Sequence, residues 1–96
     1  MATRDERARC RHLLAHLSEV HAAIRGGADV RGFLYWTLLD NFEWAEGYTR
    51  TFGLIEIDRQ NDLARRPRDA ARLYGEIARR GGIDDEMLRR FEVKAG

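Results

Sequence analysis

The stretch Val30-Arg31-Gly32-Phe33-Leu34-Tyr35-Trp36-Thr37-Leu38-Leu39, running directly into Asp40-Asn41-Phe42-Glu43-Trp44-Ala45-Glu46-Gly47-Tyr48, decides how the rest of the chain is read. Its first part is β-branched, aliphatic and aromatic without clear alternation, as expected of a strand buried on both faces in a parallel sheet. Its second part gathers indole rings, a phenol, carboxylates and an amide just past the end of that strand, and in parallel α/β folds this edge carries function. Such a set can hold a polyhydroxylated ring: aromatic faces cover the C–H side of a sugar, and an ionised carboxylate accepts hydrogen bonds from its hydroxyls. The same residues also read as core aromatics with carboxylates capping a loop. Residue chemistry by itself leaves both readings standing.

On the amino-terminal side, Thr3 and Glu6 form a T-x-x-E capping box, and Cys10, Leu13, Leu14, Leu17, Val20 and Ile24 follow at helical spacing until Gly26-Gly27. This predicts a helix from about Arg4 to Arg25. On the other side, residues 40–50 read as a loop and Phe52 to Asp58 as a short extended piece. Arg59 to Arg66 reads as a connection, and Pro67 suits the first turn of a helix with Ala70, Ala71, Tyr74, Ile77 and Ala78 facing inward. Gly81-Gly82 ends that helix. Asp84 can cap a further short helix burying Met87, Leu88 and Phe91, which leaves residues 92–96 as a tail. The order helix, strand, long loop, helix amounts to one and a half βα units, and such units close a sheet only when more strands are supplied.

Composition narrows the possibilities. The chain has 96 residues, well short of the ~250 of a complete (β/α)8 barrel. No apolar run approaches the ~20 residues that span a bilayer, and the charged segment before Cys10 lacks the apolar stretch of a signal peptide. A cytoplasmic location is the expectation, and no membrane partner is expected. The net charge of +1 arises from arginines interspersed with acidic residues, which argues against nucleic acid as a partner. Lys94 is the only lysine among many arginines, a pattern that suggests a GC-rich bacterial source. Cys10 is the single cysteine and reads as an inert buried thiol.

Val30-Arg31-Gly32-Phe33, then W-T-L-L-D-N-F-E-W-A-E-G-Y over residues 36–48, then T-F-G-L-I over residues 51–55, resembles the last barrel strand and loop of family 1 glycoside hydrolases, the β-glucosidase family. The resemblance extends back through Asp5, Arg9, Leu13, His16 and Leu17 and forward through Arg66-Pro67-Arg68-Asp69-Ala70-Ala71 and Tyr74 to about Ile83. It implies an α/β fold that is the C-terminal fragment of a TIM (β/α)8 barrel over residues 1–83; residues 84–96 extend past the point where many members stop and read as a short helical extension or tail. It also implies four contacts to the glycone, the sugar that is cleaved off. Trp36 would form the aromatic floor, and Glu43 would accept hydrogen bonds from hydroxyls that distinguish one sugar from another. Trp44 would donate its indole N–H, and Phe52 would close the apolar side. Asp40 and Asn41 read as holding the loop through its backbone. Thr37 stands where the family commonly has Ser, and Thr51 where it usually has a basic residue.

Family members are retaining glycosidases, in which a carboxylic acid protonates the leaving oxygen and a carboxylate ~5–5.5 Å away attacks the anomeric carbon. In the family these residues lie in Asn-Glu-Pro and Glu-Asn-Gly motifs, and neither tripeptide occurs in this sequence. No catalytic residue is therefore expected here. Asp40, Glu43 and Glu46 do not replace the pair, because two carboxylates need opposed environments to separate their pKa values. His12, His16 and Glu19 recur at about one-turn intervals but without an evident cleft, so no metal or other cofactor is expected. The partners implied are a β-glucoside or oligosaccharide within a full barrel, and either the missing barrel portion or further copies of the chain. An alternative is a non-catalytic carbohydrate-binding or complementing module.

Overall fold

A computed structural model of the chain describes residues 4–94. Helix α1 spans Arg4–Arg25 and ends where expected, with Gly27 at φ 104°, a value that glycine adopts at little cost. The Thr3 half of the proposed capping box lies outside the described residues. Strands β1 (Ile55–Asp58) and β2 (Ala64–Pro67) form an antiparallel hairpin in which Ile55 faces Pro67 and Asp58 faces Ala64. Helix α2 (Asp69–Arg80) and helix α3 (Asp85–Arg90) complete the order. Gly81 closes α2 in the left-handed conformation, returning its N–H to the Ile77 carbonyl at 2.8 Å. Asp84 caps α3, its carboxylate accepting from the Met87 N–H at 2.9 Å.

The core is built wholly from the helices and the residue that follows them: Cys10, Leu13 and Leu14 of α1, Ala70, Leu73 and Ile77 of α2, and Met87 and Phe91 at α3. Burial within this cluster pushes the Cys10 thiol up to about 11, with Asp69 and Glu6 adding to the effect. Alkylation at pH 8 is accordingly expected to be slow in the native chain and fast in concentrated urea. Equal rates in the two states would contradict the burial of this residue.

Outside the segment 30–39, the structure departs from the sequence expectation in four places. Pro67 does not open α2 but ends β2, and Arg68, in extended conformation, is the residue before the helix. Proline is tolerated there because, among the described residues, β2 pairs only with β1 and is an edge strand. Residues 64–66 are strand and not plain connection, tied down by ion pairs from Arg66 to Asp58 and Glu56. The inward face of α2 includes Leu73 and omits Ala78, which is exposed. Glu92 and Val93 are not loose tail: the Val93 N–H donates to the Leu88 carbonyl at 2.9 Å and its side chain packs against the core, while Arg7 pairs with Glu92 at 3.4 Å.

The expected strand at 30–39 is the largest difference. Only Leu39 forms a bridge, parallel to Ile55, and the Trp36–Thr37 peptide bond is cis. Burial along the segment alternates. Phe33 and Tyr35 pack toward Tyr74, each with ring centroids 6.2 Å from it, whereas Leu34, Trp36 and Leu38 are 96%, 69% and 62% exposed. One face is covered by helices and the other is bare, so within the described chain the segment is not buried on both faces. The apolar run that predicted double burial requires strands beyond these residues.

Gly53 fixes where the loop returns to this segment. A Cβ there would lie against the Asp40 backbone nitrogen, 2.6 Å from Asp40 Oδ1 and 2.7 Å from the Ile55 carbonyl oxygen. These are mostly backbone atoms that cannot swing aside. Gly53→Ala is expected to cost about 1–3 kcal/mol through overpacking, read as a lower urea midpoint. An unchanged midpoint would show that the loop can shift freely at this point.

Candidate functional site

The loop from Asp40 to Gly53 is held at its base by charge. Asp40 is buried, and its carboxylate accepts from the Gly53 N–H at 2.9 Å and the Ile57 N–H at 3.3 Å. Arg68 grips it bidentately, Nη1 to Oδ1 at 2.8 Å and Nη2 to Oδ2 at 2.9 Å, and also donates to the Gly53 carbonyl at 2.6 Å. Arg9 of α1 donates to the carbonyls of Gly53 at 2.7 Å and Thr51 at 2.8 Å. Glu6 lies 3.7 Å from both arginines. Burial alone would raise the Asp40 pKa, but the Arg68 guanidinium and the backbone N–H donors outweigh it and hold the carboxyl below its ordinary value. Glu6 goes the other way, lifted by burial despite the two guanidiniums.

The expected backbone-holding roles are therefore met. Asp40 holds two N–H groups, and Asn41 Nδ2 donates to the Leu39 carbonyl at 3.2 Å. Sequence reasoning did not identify Arg68 as the partner of Asp40. The only available signal was an arginine in the Arg66-Pro67-Arg68-Asp69 run, and a separation of 28 residues gives no clue to contact.

Above this base the loop closes on itself. The Glu43 N–H donates to the Gly47 carbonyl at 2.7 Å around the 3-10 turn Trp44–Glu46. Phe42 and Tyr48 meet edge to face at 5.4 Å, and the Arg59 guanidinium sits 3.9 Å over the Tyr48 ring. Trp44 has φ 44°, a left-handed conformation that a bulky side chain adopts only when its surroundings enforce it.

Of the four expected sugar contacts, two are joined directly: Trp36 Nε1 donates to Glu43 Oε1 at 3.0 Å. An ionised carboxylate retains further acceptor sites beside that bond. Trp36 and Phe52 line one groove of about 570 Å³, shared with Arg9, His12 and His16 of α1. Trp44 stands apart on the turn, 86% exposed, and Phe52 is 44% exposed. The arrangement joins an indole to a carboxylate at Trp36 and Glu43 and leaves the rings of Trp36, Trp44 and Phe52 open to solvent. Among the described residues no group of three or more His, Cys, Asp or Glu is arranged to hold a metal ion, and His16 Nδ1 instead lies 2.9 Å from the His12 carbonyl oxygen.

Comparison with known proteins gives a consistent result. The sequence profile described as Glycosyl hydrolase family 1 matches residues 2–83. The chain is 47% identical over 76 residues to the β-galactosidase of Saccharolobus solfataricus, a match covering 79% of this chain and 15% of that protein. Among solved structures, it superposes on the β-glycosidase from Pyrococcus horikoshii with a TM-score of 0.88 at 48% identity, covering 97% of this chain and 22% of the other. It superposes on the β-glucosidase from Thermotoga maritima in complex with deoxynojirimycin with a TM-score of 0.75 at 35% identity, covering 78% and 17%. The chain thus spans less than a quarter of each of these relatives, and its helices and two-stranded sheet are a partial TIM barrel. No described helix is long and apolar enough to cross a membrane.

Proposed function

The chain belongs to glycosyl hydrolase family 1, and from that premise we propose that it contributes the glycone-binding wall of a retaining β-glucosidase whose bond-breaking carboxylates come from outside these residues. In this reading Trp36 is the floor under the sugar, and Glu43 accepts hydrogen bonds from its hydroxyls. Trp44 donates its indole N–H, and Phe52 closes the apolar side. The substrate is a β-glucoside or oligosaccharide, bound only when the rest of a barrel is present. The chain alone performs no hydrolysis, since the Asn-Glu-Pro and Glu-Asn-Gly motifs are not in it. No cofactor takes part in the proposed chemistry. The proposed setting is the cytoplasm.

The observation that supports this reading most is the 3.0 Å bond from Trp36 to Glu43, which orients a carboxylate beside an indole at the edge of the loop. Calorimetry with glucose tests it. A wall that covers one side of a sugar is expected to show no saturation tighter than about millimolar, equivalent to ~4 kcal/mol. Micromolar binding by the isolated chain, abolished by Glu43→Ala, would make it a self-sufficient module. The exposure of Trp36 and Trp44 is the one feature that favours this second reading.

A further inference from the structure

We infer that Arg9 of α1 is a positioning residue for the sugar wall, acting through the two carbonyls that flank Phe52. This rests on the reading of Phe52 as the apolar side of that wall. Three successive carbonyls are held at this point of the loop. Arg9 Nη2 donates to the Thr51 carbonyl at 2.8 Å and Nη1 to the Gly53 carbonyl at 2.7 Å, while the Thr37 N–H donates to the carbonyl of Phe52 itself at 3.1 Å. One guanidinium therefore brackets Phe52 from both sides. The Thr37 N–H belongs to the peptide that follows Trp36, so the same set of bonds ties the backbone under one aromatic of the wall to the backbone under the other.

Phe52 is partly exposed and does not pack into the helical core, so the direction of its ring follows from its backbone more than from side-chain packing. Control of that backbone is control of the ring. Arginine suits the task because its planar fork presents several N–H donors in fixed geometry and can serve two carbonyls at once, which the single ammonium of lysine does less well. The fork is itself aimed: the Arg9 side chain is mostly buried, and Glu6, one turn earlier on the same helix, stands 3.7 Å from its Nε. Arg68 shares the Gly53 carbonyl, but its other nitrogen is directed to Asp40, so it holds the base of the loop and does not span Phe52. Arg9 also lines the groove that holds Trp36 and Phe52, which places the grip directly behind the ring it orients. A ring that covers the sugar equally before and during bond cleavage contributes uniform binding, so losing its position raises KM and leaves kcat in place.

The test uses this chain fused to the part of the Pyrococcus horikoshii β-glycosidase outside the segment it matches, with an aryl β-glucoside as substrate. Arg9→Lys, Phe52→Ala and the double variant form a cycle. Lysine keeps a positive charge beside Glu6 and gives up the fork. Arg9→Lys is expected to raise KM roughly tenfold with kcat within about twofold, the effect of losing one charge-assisted hydrogen bond. In the Phe52→Ala background the same change is expected to do nothing further. An arginine with a merely structural role would change both backgrounds by the same factor, and that additivity would overturn the inference. So would an unchanged KM in Arg9→Lys where Phe52→Ala raises it. If Arg9→Lys loses its fold by circular dichroism, Glu6→Gln takes its place, since it keeps the guanidinium and removes the carboxylate that aims it. A KM rise of about threefold, absent in the Phe52→Ala background, is then expected, and an unchanged KM overturns the inference. Failure of the sugar-wall reading is distinguishable: Phe52→Ala itself would leave KM unchanged, which removes Phe52 from the wall and the role of Arg9 with it.

Discussion

Replacing Arg68 with alanine is expected to destabilise the chain by about 3–5 kcal/mol, because the Asp40 carboxylate stays buried after its bidentate partner is removed. Against a total of ~5–15 kcal/mol for a native domain, this removes much of the margin, and urea unfolding followed by far-UV circular dichroism should lose most of its native baseline. Asp40→Ala is expected to fall in the same range, since it strands Arg68 together with the N–H groups of Gly53 and Ile57. The double variant should cost less than the sum of the two, as for residues that act as a pair. A loss below about 1 kcal/mol for Arg68→Ala would place the pair with weak exposed ion pairs instead.

The pair also sets a pH dependence. The folded pKa of Asp40 lies below its ordinary value, so its contribution is fully present above the unfolded value of about 3.9 and is lost as pH falls through the folded value. Glu6 opposes this in sign: its folded pKa is raised, so ionisation works against the fold and acidification relieves it. Asp40→Asn should therefore flatten the acid side of the stability profile. Glu6→Gln should leave the acid loss in place and raise stability at neutral pH.

The second large effect concerns Glu43 in a covalent fusion of this chain to the barrel portion of the Pyrococcus horikoshii relative. Glu43→Ala is expected to lower kcat/KM for an aryl β-glucoside by roughly tenfold to a hundredfold, the loss of one charge-assisted hydrogen bond at about 1.5–3 kcal/mol. Glu43→Gln keeps an acceptor for the Trp36 indole and should retain part of the rate. Full activity in Glu43→Ala would remove this residue from the sugar wall. If both variants fall equally and also lose their fold by circular dichroism, the role is structural.

Much of the fold was legible because its boundaries are written in residues with few alternatives. Gly27 and Gly81 take positive φ where the helices end, and Asp84 caps α3 through the Met87 N–H. The hairpin partner β2 was not legible, since Ala64-Arg65-Arg66-Pro67 carries no alternating apolar pattern and depends on pairing with β1 and on Arg66. Leu73 is legible in the sequence, since with Ala70, Tyr74 and Ile77 it completes the i, i+3, i+4, i+7 spacing of the inward face of α2. The composition of segment 30–39 suits a strand covered on both sides, an environment that here extends beyond the described residues. Within the site, Trp36, Glu43 and Trp44 lie in the contiguous motif 36–48, and Phe52 in the short piece 51–55 just after it. Arg9 and Arg68, which hold that motif's base, act across long separations that local reading cannot see.

A chain that contributes a wall for sugar without the groups that cleave the bond is expected to bind its part of the substrate and turn none over. Hydrolysis of an aryl β-glucoside by the purified chain, measured beside its fusion to the missing barrel portion, tests this most directly. No turnover is expected from the chain, and glycosidase turnover from the fusion. Hydrolysis that co-purifies with the chain alone and disappears in its Glu43→Ala variant would contradict it.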